Sequence, residues 1–229
     1  MANPLVKGVF TFIKDLVIIV AAALIISFVV KTFLFRSFYI PSASMENTLM
    51  IDDRIIVNEL VPDLFPLENG DVVVFSDPGG WLPPREPSNP DLVTAALDLV
   101  GSVVGFGGAD SQDHLVKRVI GLPGDHVVCC DAKGQIEVNG VAVDEPYILT
   151  SSGHEEASGM KFDVTVPDNS LWVMGDNRYD SADSRYNQDK PGGGFVPIDH
   201  VVGRAIVVSW PVNHWMWLDN HASNFTNAN

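Results

Sequence analysis

Apolar positions along the chain fall into one long run near the start and many short runs after it. Residues 16–30 are uncharged and mostly apolar. Continued through Lys31-Thr32-Phe33-Leu34-Phe35 with the lysine snorkelling, they make a helix of roughly 20 residues, the length a bilayer needs. The segment that follows, Lys31 to Arg36, lacks the small residues of a secretory cleavage site, so the run reads as a retained anchor. A cleaved secretory signal and a buried core helix are the alternatives. Lys7 and Lys14 precede the run and Lys31 and Arg36 follow it, so local charge leaves the orientation open.

From Phe38 onward the pattern turns to β. Short Val- and Ile-rich runs at 54–57, 71–75, 115–120, 126–129 and 201–209 are bounded by Gly, Pro, Asn and Asp. The clearest hairpin is Gln135 to Val143, where Asn139-Gly140 suits a tight turn between twisted strands. The pattern predicts a mainly β domain, an antiparallel coiled sheet or barrel-like fold, with an N-terminal transmembrane helix and a short inserted helix. The divisions are an anchor segment over 1–36 and a β-rich domain over 37–229, with an insertion at about 77–113. Within that insertion 77–90 is rich in Pro and Gly, an exposed loop, and 91–100 has near-helical apolar spacing behind a capping Asp91. Near the C-terminus Trp210, Trp215 and Trp217 cluster, and the expectations are packing at the end of a sheet or contact with a membrane interface.

Composition narrows the function classes. Some 46% of residues are apolar, enough for a sizeable core, and the formal charge of -15 with only 14 Lys and Arg argues against nucleic acid as a partner. Such acidity suits an extracytoplasmic domain that must stay soluble. The two cysteines, Cys129 and Cys130, are adjacent, and the default expectation is two thiols on opposite faces of a strand.

Candidate chemistry lies in three segments. Pro41-Ser42-Ala43-Ser44-Met45 places two hydroxyls just beyond the apolar run, and Ser44 is the candidate nucleophile. Leu115-Val116-Lys117-Arg118-Val119-Ile120 sets a lysine among apolar neighbours, which disfavours the ammonium and readies a neutral amine to take a serine proton. Bringing a lysine from about 10.4 to near 7 costs on the order of 4 to 5 kcal/mol of differential solvation, which burial can supply. A solvent-facing lysine at a sheet edge is the plain alternative. Arg118 would face the other way and be structural. The third segment, Met174 to Arg185, is dense in turn formers and charges. It lacks the Gly and Glu that a calcium loop requires, so metal is rejected. Two uses remain for it: a charged surface turn, or a rigid loop whose Asp and Arg pairs hold Ser181 against the lysine amine.

Together these stretches resemble the bacterial type I signal peptidases, membrane-bound serine proteases that cut signal peptides from exported proteins. The resemblance is carried by Pro41 to Met45, Gly70-Asp71-Val72-Val73-Val74-Phe75, Lys117-Arg118-Val119-Ile120-Gly121-Leu122-Pro123-Gly124-Asp125, and Gly175 to Arg185. It implies Ser44 as nucleophile, Lys117 as general base, and Ser42 as oxyanion donor beside the Ser44 N–H. It also implies Ser181 as the hydroxyl that orients the lysine, with Asp176, Arg178, Asp183 and Arg185 as the supporting charged loop. No cofactor is implied. The implied partners are preproteins bearing signal peptides, with small side chains at the first and third positions before the cut, and the lipid bilayer. The implied location is the cell membrane, single-pass, with a cytoplasmic N-terminus and an extracytoplasmic catalytic domain.

The chain departs from the family pattern at Asn47, where the family usually has Pro, at Asn69 before Gly70-Asp71, where Arg is frequent, and in a longer stretch at 187–193. Two rival functions remain at this level. A Ser-His-Asp hydrolase would draw on one of six histidines, His114 lying nearest Lys117 in sequence. A membrane-tethered β domain that binds peptides without cutting them would leave the serine and lysine as ordinary turn and edge residues.

Overall fold

The computed structural model describes residues 4–83, 113–151, 153 and 156–225. The chain opens with helix α1, Pro4–Phe33. Among the described residues twelve strands follow: β1 Phe35–Tyr39, β2 Arg54–Asn58, β3 Val72–Ser76, β4 His114–Gly121, β5 His126–Cys129, β6 Ile136–Val138, β7 Val141–Ala142, β8 Phe162–Thr165, β9 Ser170–Met174, β10 Val196–Pro197, β11 Val201–Trp210 and β12 Met216–Trp217. They form a larger sheet in the order β1-β2-β11-β3-β4-β9-β10, with β12 on β11, and a smaller one in the order β7-β6-β5-β8. Every pair of strands is antiparallel, as the short alternating runs predict.

Local turn chemistry explains the connections that were foreseen. Asn139 and Gly140 both take positive φ, 52° and 80°, which a two-residue hairpin turn with the twist of its strands requires. At the end of β4, Pro123 sits at the second place of a reversal and Gly124, φ 89°, at the third, closed by Asp125 N–H donating to the Leu122 carbonyl at 3.0 Å. Three buried clusters hold the sheets. One joins the smaller sheet to Trp172 and Met174 of β9. A second packs Val73, Phe75, Val119 and Val173 of the larger sheet, and the third packs Met45 and Leu49 against Ile55, Val57, Val74 and Val208.

Among the described residues no helix is long and apolar enough to cross a membrane. The expected helix at 91–100 lies outside the described residues. The loop from Asp77 is not wholly exposed, because Asp77 gathers the N–H groups of Gly79, Trp81 and Leu82 and turns Trp81 inward, edge-on to Phe75. Cys129 and Cys130 form a disulfide, not two thiols on opposite faces; their peptide bond is cis, with the Cα atoms 3.0 Å apart. Trp210, Trp215 and Trp217 are exposed by 53 to 64%, so they do not complete a core.

Candidate active site

The loop carrying Ser44 is the connection between two paired strands, since β1 and β2 form an antiparallel hairpin whose last pair is Tyr39 and Arg54. Within it a tight turn over Ala43–Met45 presents Ser44 while Met45 and Leu49 drop into the core. Asn47 takes a φ of 85°, a left-handed conformation open to asparagine and closed to a proline ring. That is a physical reason for the departure from the family's Pro at this place, and the Asn47 amide also donates to the Tyr147 carbonyl at 3.0 Å.

Lys117 lies on β4 opposite Val73 of β3, one residue before the pairing of β4 with β9 begins at Arg118, so it sits inside the sheet and not on an outer strand. It is 4% exposed, and its Nζ donates to Ser44 Oγ at 2.7 Å and to the Val116 carbonyl at 2.8 Å. Burial pushes the Lys117 amine down to about 8, against the opposing pull of the Asp183 and Asp176 carboxylates. Ser42 Oγ lies 3.3 Å from Ser44 Oγ. The two serines and Lys117 line a cleft of about 250 Å³ whose walls include Phe38, Ile40, Leu82 and Val116. His114 opens onto the same cleft and meets Phe38 edge-on, the ring centroids 5.3 Å apart.

The 174–185 segment packs directly on this site. Asn177 N–H donates to the Ser44 carbonyl at 3.1 Å, and its side-chain amide to the Ala43 carbonyl at 3.2 Å. Gly175 marks the closest approach: a Cβ there would stand 2.2 Å from Ser181 Oγ and 2.4 Å from the Ser44 carbonyl oxygen, so only glycine fits. Ser181 Oγ is buried at this point, where it helps hold the Asp183 carboxyl below its usual range, and it makes no hydrogen bond to Lys117. The bond expected between it and the lysine is not formed in this arrangement.

The charged residues of the segment pair differently from the expectation of Asp and Arg partners within one loop. Only Asp183 and Arg185 pair internally, at 2.7 and 2.8 Å, with Asp183 also accepting the Gly175 N–H. Burial pushes the Asp183 carboxyl up, but the Arg185 guanidinium and the Gly175 N–H outweigh it and hold the group below the usual range. Asp176 pairs with Arg118, at 2.7 and 2.9 Å, and also accepts a bond from Thr48 Oγ1 of the Ser44 loop at 2.5 Å. Arg178 pairs with Glu145. All six side chains of these three pairs are at most 3% exposed. Sequence reasoning missed Glu145 and Thr48, and assigned Arg118 no partner. The one available signal was Arg118 itself, a second charge in an apolar strand, which has to find a carboxylate wherever it points. No group of three or more His, Cys, Asp or Glu side chains among the described residues is placed to hold a metal ion.

A family model described as "Signal peptidase, peptidase S26" matches residues 13–210. The chain is 36% identical over 225 residues to "Probable signal peptidase I" of Mycobacterium leprae (strain TN), a match covering 88% of this chain and 77% of that protein. It is 37% identical over 190 residues to "Probable signal peptidase I-2" of Synechocystis sp., covering 83% and 70%. With "Signal peptidase I S" of Bacillus subtilis (strain 168) it shares 32% over 215 residues, covering 90% and 92%.

Proposed function

The chain belongs to the signal peptidase family, peptidase S26, and is an enzyme that removes signal peptides; we propose that it does so through a Ser44–Lys117 pair. The observation that carries this is the 2.7 Å contact between a buried amine and a hydroxyl in a cleft open to substrate. Neutral Lys117 takes the Ser44 proton as Oγ attacks the scissile carbonyl. It returns that proton to the leaving amine and then activates the water that frees the acyl-enzyme. Ser42 Oγ and the Ser44 N–H steady the oxyanion. Ser181 is the lysine-orienting hydroxyl: Lys117 has three N–H donors when charged and uses two, and the buried Ser181 hydroxyl stands beside Gly175, which also abuts the Ser44 carbonyl. Asp176, Arg178, Asp183 and Arg185 hold the loop that presses on Ser44.

Two experiments test the pairing. A β-lactam-type acylating inhibitor should label Ser44, found by mass spectrometry of the digested protein, and block cleavage of a preprotein in detergent. A label on any other residue defeats the assignment. The second is the pH profile. Because Lys117 must be neutral to act and sits near 8, about a tenth of it is competent at pH 7. kcat/KM should therefore climb about tenfold per unit below pH 8 and level above it. A profile flat from about pH 6 to 9 would remove lysine from the role of base.

The membrane part of the function is proposed on α1 and the tryptophans. At 30 residues α1 is about 45 Å long, and its large apolar side chains from Phe12 to Ile26 are 49 to 69% exposed. A helix apolar all round suits a lipid surrounding. It is the single-pass anchor of a two-part chain, 1–36 and 37–229, with its N-terminus cytoplasmic and the acidic domain outside. Trp210, Trp215 and Trp217, exposed beside Val212 and Met216, are the interfacial contact of that domain with the bilayer. Preproteins then present their cut close to the lipid surface, with small side chains at the first and third positions filling the cleft.

A further inference from the structure

The loop that carries Ser44 is closed at its base by a histidine from a distant part of the chain. We propose that His214 is a positioning residue for Ser44, holding the base of the nucleophile loop through Asp53. The inference rests on Ser44 being the nucleophile.

Residues 40–53 leave β1 and return into β2, and their two ends are tied together. Ile40 N–H donates to the Asp53 carbonyl at 2.9 Å, Asp52 N–H to the Ile40 carbonyl at 3.0 Å, and the Tyr39 hydroxyl to the Asp52 carboxylate. The Asp53 carboxylate points inward, 1% exposed, and accepts the Met50 N–H at 2.8 Å. Its other partner is His214 Nδ1 at 2.9 Å, from 161 residues further on. A carboxylate can only accept, so Nδ1 carries the proton and the imidazole is fixed in orientation.

His214 is held firmly enough to serve as an anchor. It ends the short turn Val212–His214 between β11 and β12, and β11 is paired to β2 up to Trp210 opposite Arg54. Ser209 Oγ adds a bond to the Arg54 carbonyl at 3.0 Å. The far end of the loop has its own holder in Asn177, which bonds the Ala43 and Ser44 carbonyls. The base end has the imidazole.

Without His214 the Asp53 carboxylate would be left buried with one backbone donor, a costly state for an ionised group. Rotation of the loop base toward water relieves it. That rotation drags Met50 and, through the Leu49 N–H bond to the Met45 carbonyl at 2.7 Å, the turn on which Ser44 sits. Attack geometry is sensitive to such shifts, a misplacement of about 1 Å costing about a hundredfold in rate.

The test uses the full chain in detergent with a preprotein substrate. His214→Ala should lower kcat by about ten- to a hundredfold with KM within about twofold, because the cleft walls are untouched. Acylation of Ser44 by a β-lactam-type inhibitor should slow by the same factor. His214→Asn, whose amide N–H can still reach the carboxylate, should recover most of the rate. If His214→Ala does not fold, Asp53→Asn decides by the same measurements, since its amide oxygen keeps the Met50 bond while the pairing with the imidazole is weakened. An unchanged kcat, an equal loss in His214→Ala and His214→Asn, or a loss appearing only in KM overturns the proposal. Full activity of Ser44→Ala would instead overturn the nucleophile, and this role with it. An inactive Ser44→Ala beside a fully active His214→Ala fails the positioning role alone.

Discussion

Replacing Lys117 with alanine is expected to cut preprotein cleavage by about a thousandfold or more, because among the described residues the one other group bonded to Ser44 Oγ is the Ser42 hydroxyl, which is no base. The informative companion is Lys117→Arg. Arginine keeps a cation near the site but cannot be deprotonated at working pH, so it should be as inactive as alanine. Near-normal activity in the arginine variant would mean that the site needs charge and not a base. Ser44→Ala should lose as much, and the double variant Ser44→Ala, Lys117→Ala no more than either alone, since the two act as one unit. The measurement is single-turnover cleavage in detergent, with folding checked by circular dichroism.

The second large effect is on stability. Asp176→Ala removes the carboxylate that pairs with Arg118, whose side chain is 1% exposed, and should cost about 3 to 5 kcal/mol, lowering the unfolding midpoint by on the order of 10 °C. Asp176→Asn, which keeps the shape and one acceptor, should cost less. Cleavage should fall further than stability alone explains, because Thr48 of the Ser44 loop loses its partner as well. A melting curve superimposable on that of the unaltered protein would show that Arg118 finds relief elsewhere, through its bonds to the Gly70 and Asp219 carbonyls.

What the sequence discloses and what it conceals divides by the range of the interaction. Asn139-Gly140 and Pro123-Gly124 announce their turns because backbone preference is local, and the strands from β2 to β5 follow from short Val- and Ile-rich runs bounded by turn formers, β6 from its place in the hairpin. Lys117 was legible as buried because its strand neighbours are apolar. Partners 58 and 33 residues away were not: Asp176 for Arg118 and Glu145 for Arg178 are set by how the sheets stack. β10 and β12, two residues each, carry no periodicity to detect. The cysteines show the opposite failure, where a general rule for adjacent residues on a strand was applied at the point where the strand ends, β5 stopping at Cys129. The tryptophans read equally well as core or surface until the fold left them uncovered.

One connection fixes more than its length suggests. α1 ends at Phe33 and β1 begins at Phe35, with Leu34 alone between them, and β1 is zipped to β2 along all five of its residues. There is no slack between the helix and the hairpin whose tip bears the nucleophile. With α1 as the proposed anchor and Ser44 as the proposed nucleophile, this connection would act as a ruler: a precursor held alongside would be cut where its susceptible bond comes level with a height set by the short stem, and lengthening the stem would move the cut along the substrate.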